Sequence, residues 1–337
     1  MDAKKAPVED WTTDFDHTHP DYAANAHQIW DDLREECPIA HSDRFGGMWM
    51  PTRHEDIAAI AANKDGLYTS RGVVVSEVRP DIPAPIGYAP PITSDPPFHA
   101  PARKLLLGPF APRKVQALEP FTREYCHSLV DAALETSNEQ GWFDAAIDYS
   151  QNIPVKVIAQ MLGLPAEDGP VFRRFIHNII ENPVQREIPE EETVEWYFDQ
   201  QIAKRKANPK PPGEGDLIDH LLNVEVFGEA LAPEHVRGTV VLLLVAGIDT
   251  TWSSIGSAIW HLALHPNDLA RFRDDPEVRP FAVEEFLRAY APVTMARMVA
   301  EDHELQGCPM KKDDWLLLPF PAGNRDPEAF EDADKFV

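Results

Sequence analysis

Apolar residues run almost unbroken from Thr239 to Leu264. The length of that run and its lack of turn residues predict one long buried helix. Its centre, Leu242-Leu-Leu-Val-Ala-Gly-Ile-Asp-Thr-Thr-Trp252, breaks the pattern with a glycine, an acid and two threonines. A glycine in a helix interior costs about 1 kcal/mol against alanine, and a buried Asp249 needs a partner. Thr250 and Thr251 can turn their hydroxyls onto the carbonyl four residues back and bend the helix. Such a helix reads either as a core element with a polar kink or as one built to hold a small ligand and hand it protons. A membrane span is a third reading, because the run exceeds about 18 residues. Asp249, Ser253, Ser254, Ser257 and His261 interrupt it and speak against that.

Around this run the pattern predicts mostly helices: Arg53–Ala62, then Arg113–Ser137, Tyr149–Leu162, Gly169–Ile180, Glu190–Ala207, Asp216–Val224, Asn267–Asp274 and Pro276–Tyr290. Phe45–Met50 reads as a short strand. From Val293 to Pro321 the period shortens to that of strands, with turn signals at Gln306-Gly307 and at Lys312-Asp313-Asp314. Eight prolines between Pro80 and Pro101 predict an extended loop lying against the body. No break in composition marks a domain boundary, so residues 1–337 read as a single, mainly α domain with small β components near both ends.

Lys and Arg total 31 against 56 Asp and Glu, a net charge of −25. Such acidity opposes binding to nucleic acid or anionic membranes. Cys37, Cys126 and Cys308 are odd in number and far apart, which argues against a disulfide framework or a structural zinc site and suits the cytoplasm. Asp16-His17-Thr18-His19 and the triple Glu190–Glu192 read as solvated segments. His261 and His265, four apart, fit a metal pair or a helix end before Pro266, the second being the preferred reading.

Four further motifs follow the chain order. In Ser94-Asp95-Pro-Pro-Phe-His99-Ala-Pro-Ala-Arg103, Ser94 or Asp95 can cap a helix starting at the prolines, with His99 and Arg103 on one face as anion-binding donors. Glu285 and Arg288 can form a charge-assisted pair at i and i+3. Pro292-Val-Thr-Met-Ala-Arg297 and Asn324-Arg-Asp-Pro-Glu-Ala-Phe330 come last.

Taken in this order, Asp-Pro-Pro-x-His-x-x-x-Arg, Ala-Gly-x-Asp-Thr-Thr, Glu-x-x-Arg and the two later motifs make the chain resemble a soluble bacterial cytochrome P450. The resemblance spans the Phe45 strand to Val337. It implies a helical prism around haem b, with small β-sheets near the N-terminal region and after the Glu-x-x-Arg helix. It further implies that Ala246 and Gly247 flank the oxygen-binding groove, that Asp249 and Thr250 form the catalytic acid–alcohol pair, and that His99, Arg103 and Arg297 hold the haem propionates. Glu285 and Arg288 match a buried pair beneath the haem. The chemistry is consistent: protons must reach dioxygen without flooding the pocket, and a hydroxyl relayed by a carboxylate can deliver them.

No residue of this chain matches the family's cysteine that ligates the iron; it is expected beyond Val337, and none of the three cysteines present replaces it. The expected activity is a haem-dependent monooxygenase acting on a small apolar substrate, a terpenoid or an aromatic. Its electrons come from NAD(P)H through a reductase and a ferredoxin. Tyr88, Leu243, Val245, Ala246, Val293, Thr294 and Met295 are the expected pocket residues, Tyr88 and Thr294 being the polar ones. The rival reading is a catalytically inactive, haem-free protein of the same fold that binds or scaffolds.

Overall fold

Strand-forming residues from distant parts of the chain pair into one sheet. β1 (Ile39–Ser42) pairs antiparallel with β2 (Met48–Pro51), β3 (Tyr68–Thr69) pairs with β6 (Thr294–Val299), and β6 pairs antiparallel with β9 (Trp315–Pro319). A parallel register, Met48 opposite Trp315, joins β2 to β9 and gives the order β1-β2-β9-β6-β3. All five residues of β9 are buried, as a central strand covered on both faces requires. Two hairpins complete the β structure: β4 (Glu225–Val226) with β5 (Glu229–Ala230), and β7 (His303–Leu305) with β8 (Cys308–Met310). The expected turn at Gln306-Gly307 closes the second, both residues adopting positive φ.

This computed structural model describes residues 7–75, 87–181 and 188–337. Two compact units emerge, Met1–Ala84 with Ala270–Val337 and Pro85–Leu269. The first unit holds the sheet, α1 (Pro20–Glu36) and α2 (His54–Ala62). The second holds α3 (His99–Leu107), α4 (Pro112–Gln116), α5 (Glu119–Gln140), α6 (Asn152–Leu162), α7 (Gly169–Ile176), α8 (Val194–Ala207), α9 (Leu217–Leu222) and α10 (Pro233–Leu264). After α11 (Pro266–Asp274), the first unit resumes with α12 (Arg279–Ala289) and α13 (Phe320–Gly323).

Proline placement explains most departures from the expected boundaries. The helix predicted over Arg113–Ser137 is two, because Pro120 sits in the first turn of a new helix, where its missing N–H has no partner to lose. Pro280 likewise starts α12 after a 3-10 turn at Pro276–Val278. The helix carrying His99 begins at His99, with Phe98 as its N-cap, and not at the prolines; the Asp95 carbonyl accepts from the Phe98 and His99 amides. Pro101 lies in its first turn and is tolerated for the same reason. α10 begins six residues before the predicted start, at Pro233. Several elements escaped the pattern, β1 and β3 among them. α1 is strongly polar, and the β4–β5 hairpin turns at Phe227-Gly228, where Gly228 was the one turn signal the sequence offered.

The long helix is less buried than its composition suggests. Among the described residues it alone is long and apolar enough to cross a membrane, by length and composition. Val236, Val240, Leu244 and Ile248, four apart, are fully buried and pack into the core of the second unit with Ile158, Leu162, Phe172, Phe198 and Ile218. The remaining sides of α10 are half-buried or exposed. In the first unit the Asp16–His19 segment has a structural task. Asp16 is buried, accepts from the Thr18 amide and hydroxyl and pairs with Arg44, while His19 Nδ1 accepts from the Asp21 amide to start α1.

Candidate active site

On α10 the residues between Leu243 and Thr251 change burial within one turn. Ala246 and Thr251 are exposed, whereas Leu243, Val245, Gly247, Asp249 and Thr250 are half-buried. Asp249 is therefore partly solvated, not sealed in the core as the sequence suggested. Thr250 Oγ1 donates to the Ala246 carbonyl at 3.0 Å, and Ser254 Oγ to the Thr250 carbonyl at 2.8 Å. The first is a predicted back-bond, the second, at Ser254, was not expected, and α10 carries both as one continuous helix.

Gly247 answers to a neighbour on another side. A Cβ there would lie 3.2 Å from Ile158 Cδ1, so the missing side chain lets α6 close onto α10. Gly247 and Thr251 also line a cavity of about 850 Å³ with Phe110, Val130, Ile153 and Met161. The structure thus gives Ala246 and Gly247 different surroundings.

Gly238 on α10 was overlooked in the sequence, and it matters. A Cβ there would fall 1.8 Å from the Tyr88 carbonyl oxygen, so the proline-rich segment touches the helix backbone at this point. The Tyr88 ring itself is 64% exposed. A glycine inside an apolar helix, in a chain with a proline-rich loop of unassigned position, was the available signal. Residues 82–86 of that loop and 182–187 of the α7–α8 connection, both expected as pocket wall, lie outside the described residues.

His99 is half-buried and Arg103 exposed on α3. Arg103 has no hydrogen-bond or ion-pair partner among the described residues, so its guanidinium is available to an anion. In the first unit, Thr294 is exposed while Val293, Met295 and Arg297 are half-buried, and Arg297 Nη1 donates to the Ala296 carbonyl at 2.9 Å.

Glu285 and Arg288 form the bidentate pair, at 2.7 Å for both Nε–Oε2 and Nη2–Oε1. Arg288 also donates to the carbonyls of Asn324, Ala333 and Lys335, and the Val337 amide donates to Glu285. Burial alone would raise the Glu285 carboxyl. Hydrogen bonds from Arg288 and Val337, with the charges of Arg288 and Arg325, outweigh it and hold the carboxyl below its ordinary value. Asn324-Arg-Asp joins the same web. Arg325 Nη2 donates to the Ala289 carbonyl, and the Asp326 carboxylate accepts the His54 amide at the start of α2. A solvated surface pair, the other reading of Glu-x-x-Arg, is excluded by these bonds.

Cys37, Cys126 and Cys308 are free and half-buried. Burial pushes the Cys37 and Cys308 thiols up, the direction that disfavours a metal-binding thiolate.

Comparison with known proteins identifies the family. The cytochrome P450 family profile matches residues 155–278 and 280–337. The chain is similar to the vitamin D(3) 25-hydroxylase of Pseudonocardia autotrophica, 30% identical over 96% of this chain and 77% of that protein. It is 28% identical to a probable cytochrome P450 127A1 of Sinorhizobium fredii, over 85% of this chain and 66% of the relative, just under two thirds of that protein's length. Cytochrome P450 CYP109Q5 from Chondromyces apiculatus superposes with a TM-score of 0.79 at 29% identity, over 96% of this chain and 81% of that one. With its helical second unit, its five-stranded sheet and its matched motifs, the chain belongs to the cytochrome P450 family of haem-dependent monooxygenases.

Proposed function

We propose that residues 1–337 act as one domain of a monooxygenase that hydroxylates a small apolar substrate, a terpenoid or an aromatic, with electrons from NAD(P)H passed through a reductase and a ferredoxin. The observation that carries this reading is the Ala246–Thr250 turn, where an exposed alanine, a carboxylate and a hydroxyl share an otherwise apolar helix.

Haem b, when bound, supplies the iron that activates dioxygen and oxidises the substrate. The donor set suits its two carboxylates. Arg103 is an exposed guanidinium with no partner among the described residues and with His99 one turn before it, and Arg297 adds a half-buried guanidinium. Asp249, half-buried, can take a proton from solvent and regain its charge on passing that proton on. The Thr250 proton points at the Ala246 carbonyl, so its oxygen is left to accept. To donate toward a ligand the hydroxyl must leave that carbonyl, at a cost of about 1 kcal/mol for one neutral hydrogen bond. It then receives a replacement proton from Asp249. Leu243, Val245, Val293 and Met295 offer only apolar contact, which suits a compact hydrocarbon frame with one polar group met by Thr294 or Tyr88. The relative that hydroxylates vitamin D(3) shows the family handling apolar molecules. Exposed Lys104, Arg113 and Lys114 gather positive charge in a chain of net charge −25, which suits docking of an acidic ferredoxin.

The test is turnover of the haem-loaded protein with a ferredoxin and its reductase. Thr250→Ala is expected to consume NAD(P)H while most reducing equivalents appear as hydrogen peroxide; Asp249→Asn is expected to slow consumption itself. Product yield per NAD(P)H equal to that of the parent removes Thr250 from the mechanism. A rate that does not fall with rising ionic strength removes the electrostatic docking.

A further inference from the structure

The end of α10 carries a second cluster of ligating side chains. His261 and His265 stand one turn apart, and Asp268 follows in the first turn of α11. One donor atom from each lies within 4.8 Å of the other two. His261 Nε2 is 2.9 Å from Asp268 Oδ2, and the two imidazoles stack with centroids 4.1 Å apart. All three residues belong to the second unit.

One hydrogen bond already sets the tautomer of His265 as a metal site needs it. His265 Nδ1 lies 2.8 Å from the His261 carbonyl oxygen, which can only accept. Nδ1 therefore holds the proton and Nε2 keeps its lone pair. An imidazole held by a backbone carbonyl in this way is the usual arrangement behind a metal-bound histidine. His261 Nε2 donates to the Asp268 carboxylate, so an ion entering between them requires that proton to move to Nδ1, the neutral imidazole changing tautomer. With bonds near 2.0–2.1 Å a tetrahedral ion needs donors about 3.3 Å apart. The His261–Asp268 pair must open by only a few tenths of an ångström, whereas His265 must close in. His261 is 2% exposed and anchors the cluster, while His265 is exposed and Asp268 half-buried, which leaves one side to water ligands.

We propose that His261, His265 and Asp268 bind one divalent ion of the zinc class, separately from the haem site. Two imidazoles and a carboxylate favour zinc, nickel or copper over calcium or magnesium. The ion would tie the last turn of α10 to the first turn of α11 across Pro266.

The experiment is calorimetric titration of zinc into the chelator-treated full chain. One tight zinc per chain is expected, released as pH falls and the imidazoles take up protons in its place. His265→Ala and Asp268→Asn, both at positions open to solvent, are expected to weaken binding at least about tenfold, and His127→Ala to leave it unchanged. Absence of a stoichiometric zinc, or zinc held by His265→Ala and Asp268→Asn as tightly as by the parent, overturns the proposal.

Discussion

α10 and α12 both place a carboxylate beside a donor, and they use the combination in opposite ways. On α12 the charges are saturated. Arg288 has two bonds to Glu285 and three to backbone carbonyls, and Glu285 also takes the Val337 amide. On α10 the Thr250 hydroxyl spends its proton on a carbonyl of its own helix, and Asp249 is half in water. A saturated network fixes a backbone, whereas a hydroxyl back-bonded to its own helix beside a half-solvated carboxylate can exchange protons. Residues that look equally polar in the sequence are thus separated by what they bond: the first set holds residues 324–337 in place, the second keeps its hydrogen bonds exchangeable.

The largest expected effect breaks the saturated side. Arg288→Ala leaves the Glu285 carboxylate without its counter-ion and removes the donor to three carbonyls. Glu285 and Arg288 are half-buried, so losing one partner costs toward or below the lower end of the about 3–5 kcal/mol of a fully buried pair. Urea unfolding should shift accordingly and amide exchange should rise first in residues 324–337. Arg288→Lys should recover only part of this, because a lysine cannot reproduce the fork. A loss below about 1 kcal/mol would mean the network is solvated and the contrast with α10 false.

Much of this was legible in the sequence, for identifiable reasons. Local rules worked where the chain itself carries the signal: the i, i+3 spacing of Glu285 and Arg288, the back-bonding threonine at 250, the turn at Gln306-Gly307. They failed where a residue's role depends on a distant segment. Nothing near Trp315 announces a parallel partner at Met48, and nothing near Asp326 announces that it accepts the His54 amide. For Gly247, which the family motif places at the oxygen groove, nothing in the sequence signalled that a Cβ there would meet Ile158 of α6.

A middle-sized effect tests the open side. Gly238→Ala puts a methyl against the Tyr88 carbonyl at 1.8 Å, so either the loop or the helix must move. Overpacking of this kind costs about 1–3 kcal/mol. The loop has the fewer anchors, one being the Ala89 amide to Thr93 Oγ1 at 2.9 Å. Faster amide exchange at 89–94 with α10 unchanged is the expected result. Faster exchange along α10 would show that the helix, and not the loop, yields.

The smallest effect is a matter of sign within the first unit. Glu285 lies below its ordinary value of 4.5, so the unfolded chain binds its proton more readily. Its stabilising contribution is present above 4.5 and is lost as pH falls through the folded value. The shift is the remainder of opposed causes, burial against Arg288 and Val337, so the slope should be shallow. Asp56 on α2 behaves oppositely. Burial first, then the charge of Glu55, raise its carboxyl above 3.8, although Gln306 donates to Oδ1 at 2.6 Å. Its contribution is full below 3.8 and lost as pH rises through the folded value. Glu285→Gln should therefore flatten the acid side of the stability curve, while Asp56→Asn, which keeps the acceptor for Gln306, should steepen it and gain stability near neutrality. Stability measured by urea unfolding from pH 3 to pH 7 separates the two. Parallel curves for both variants would show that neither carboxylate is shifted as its bonds require.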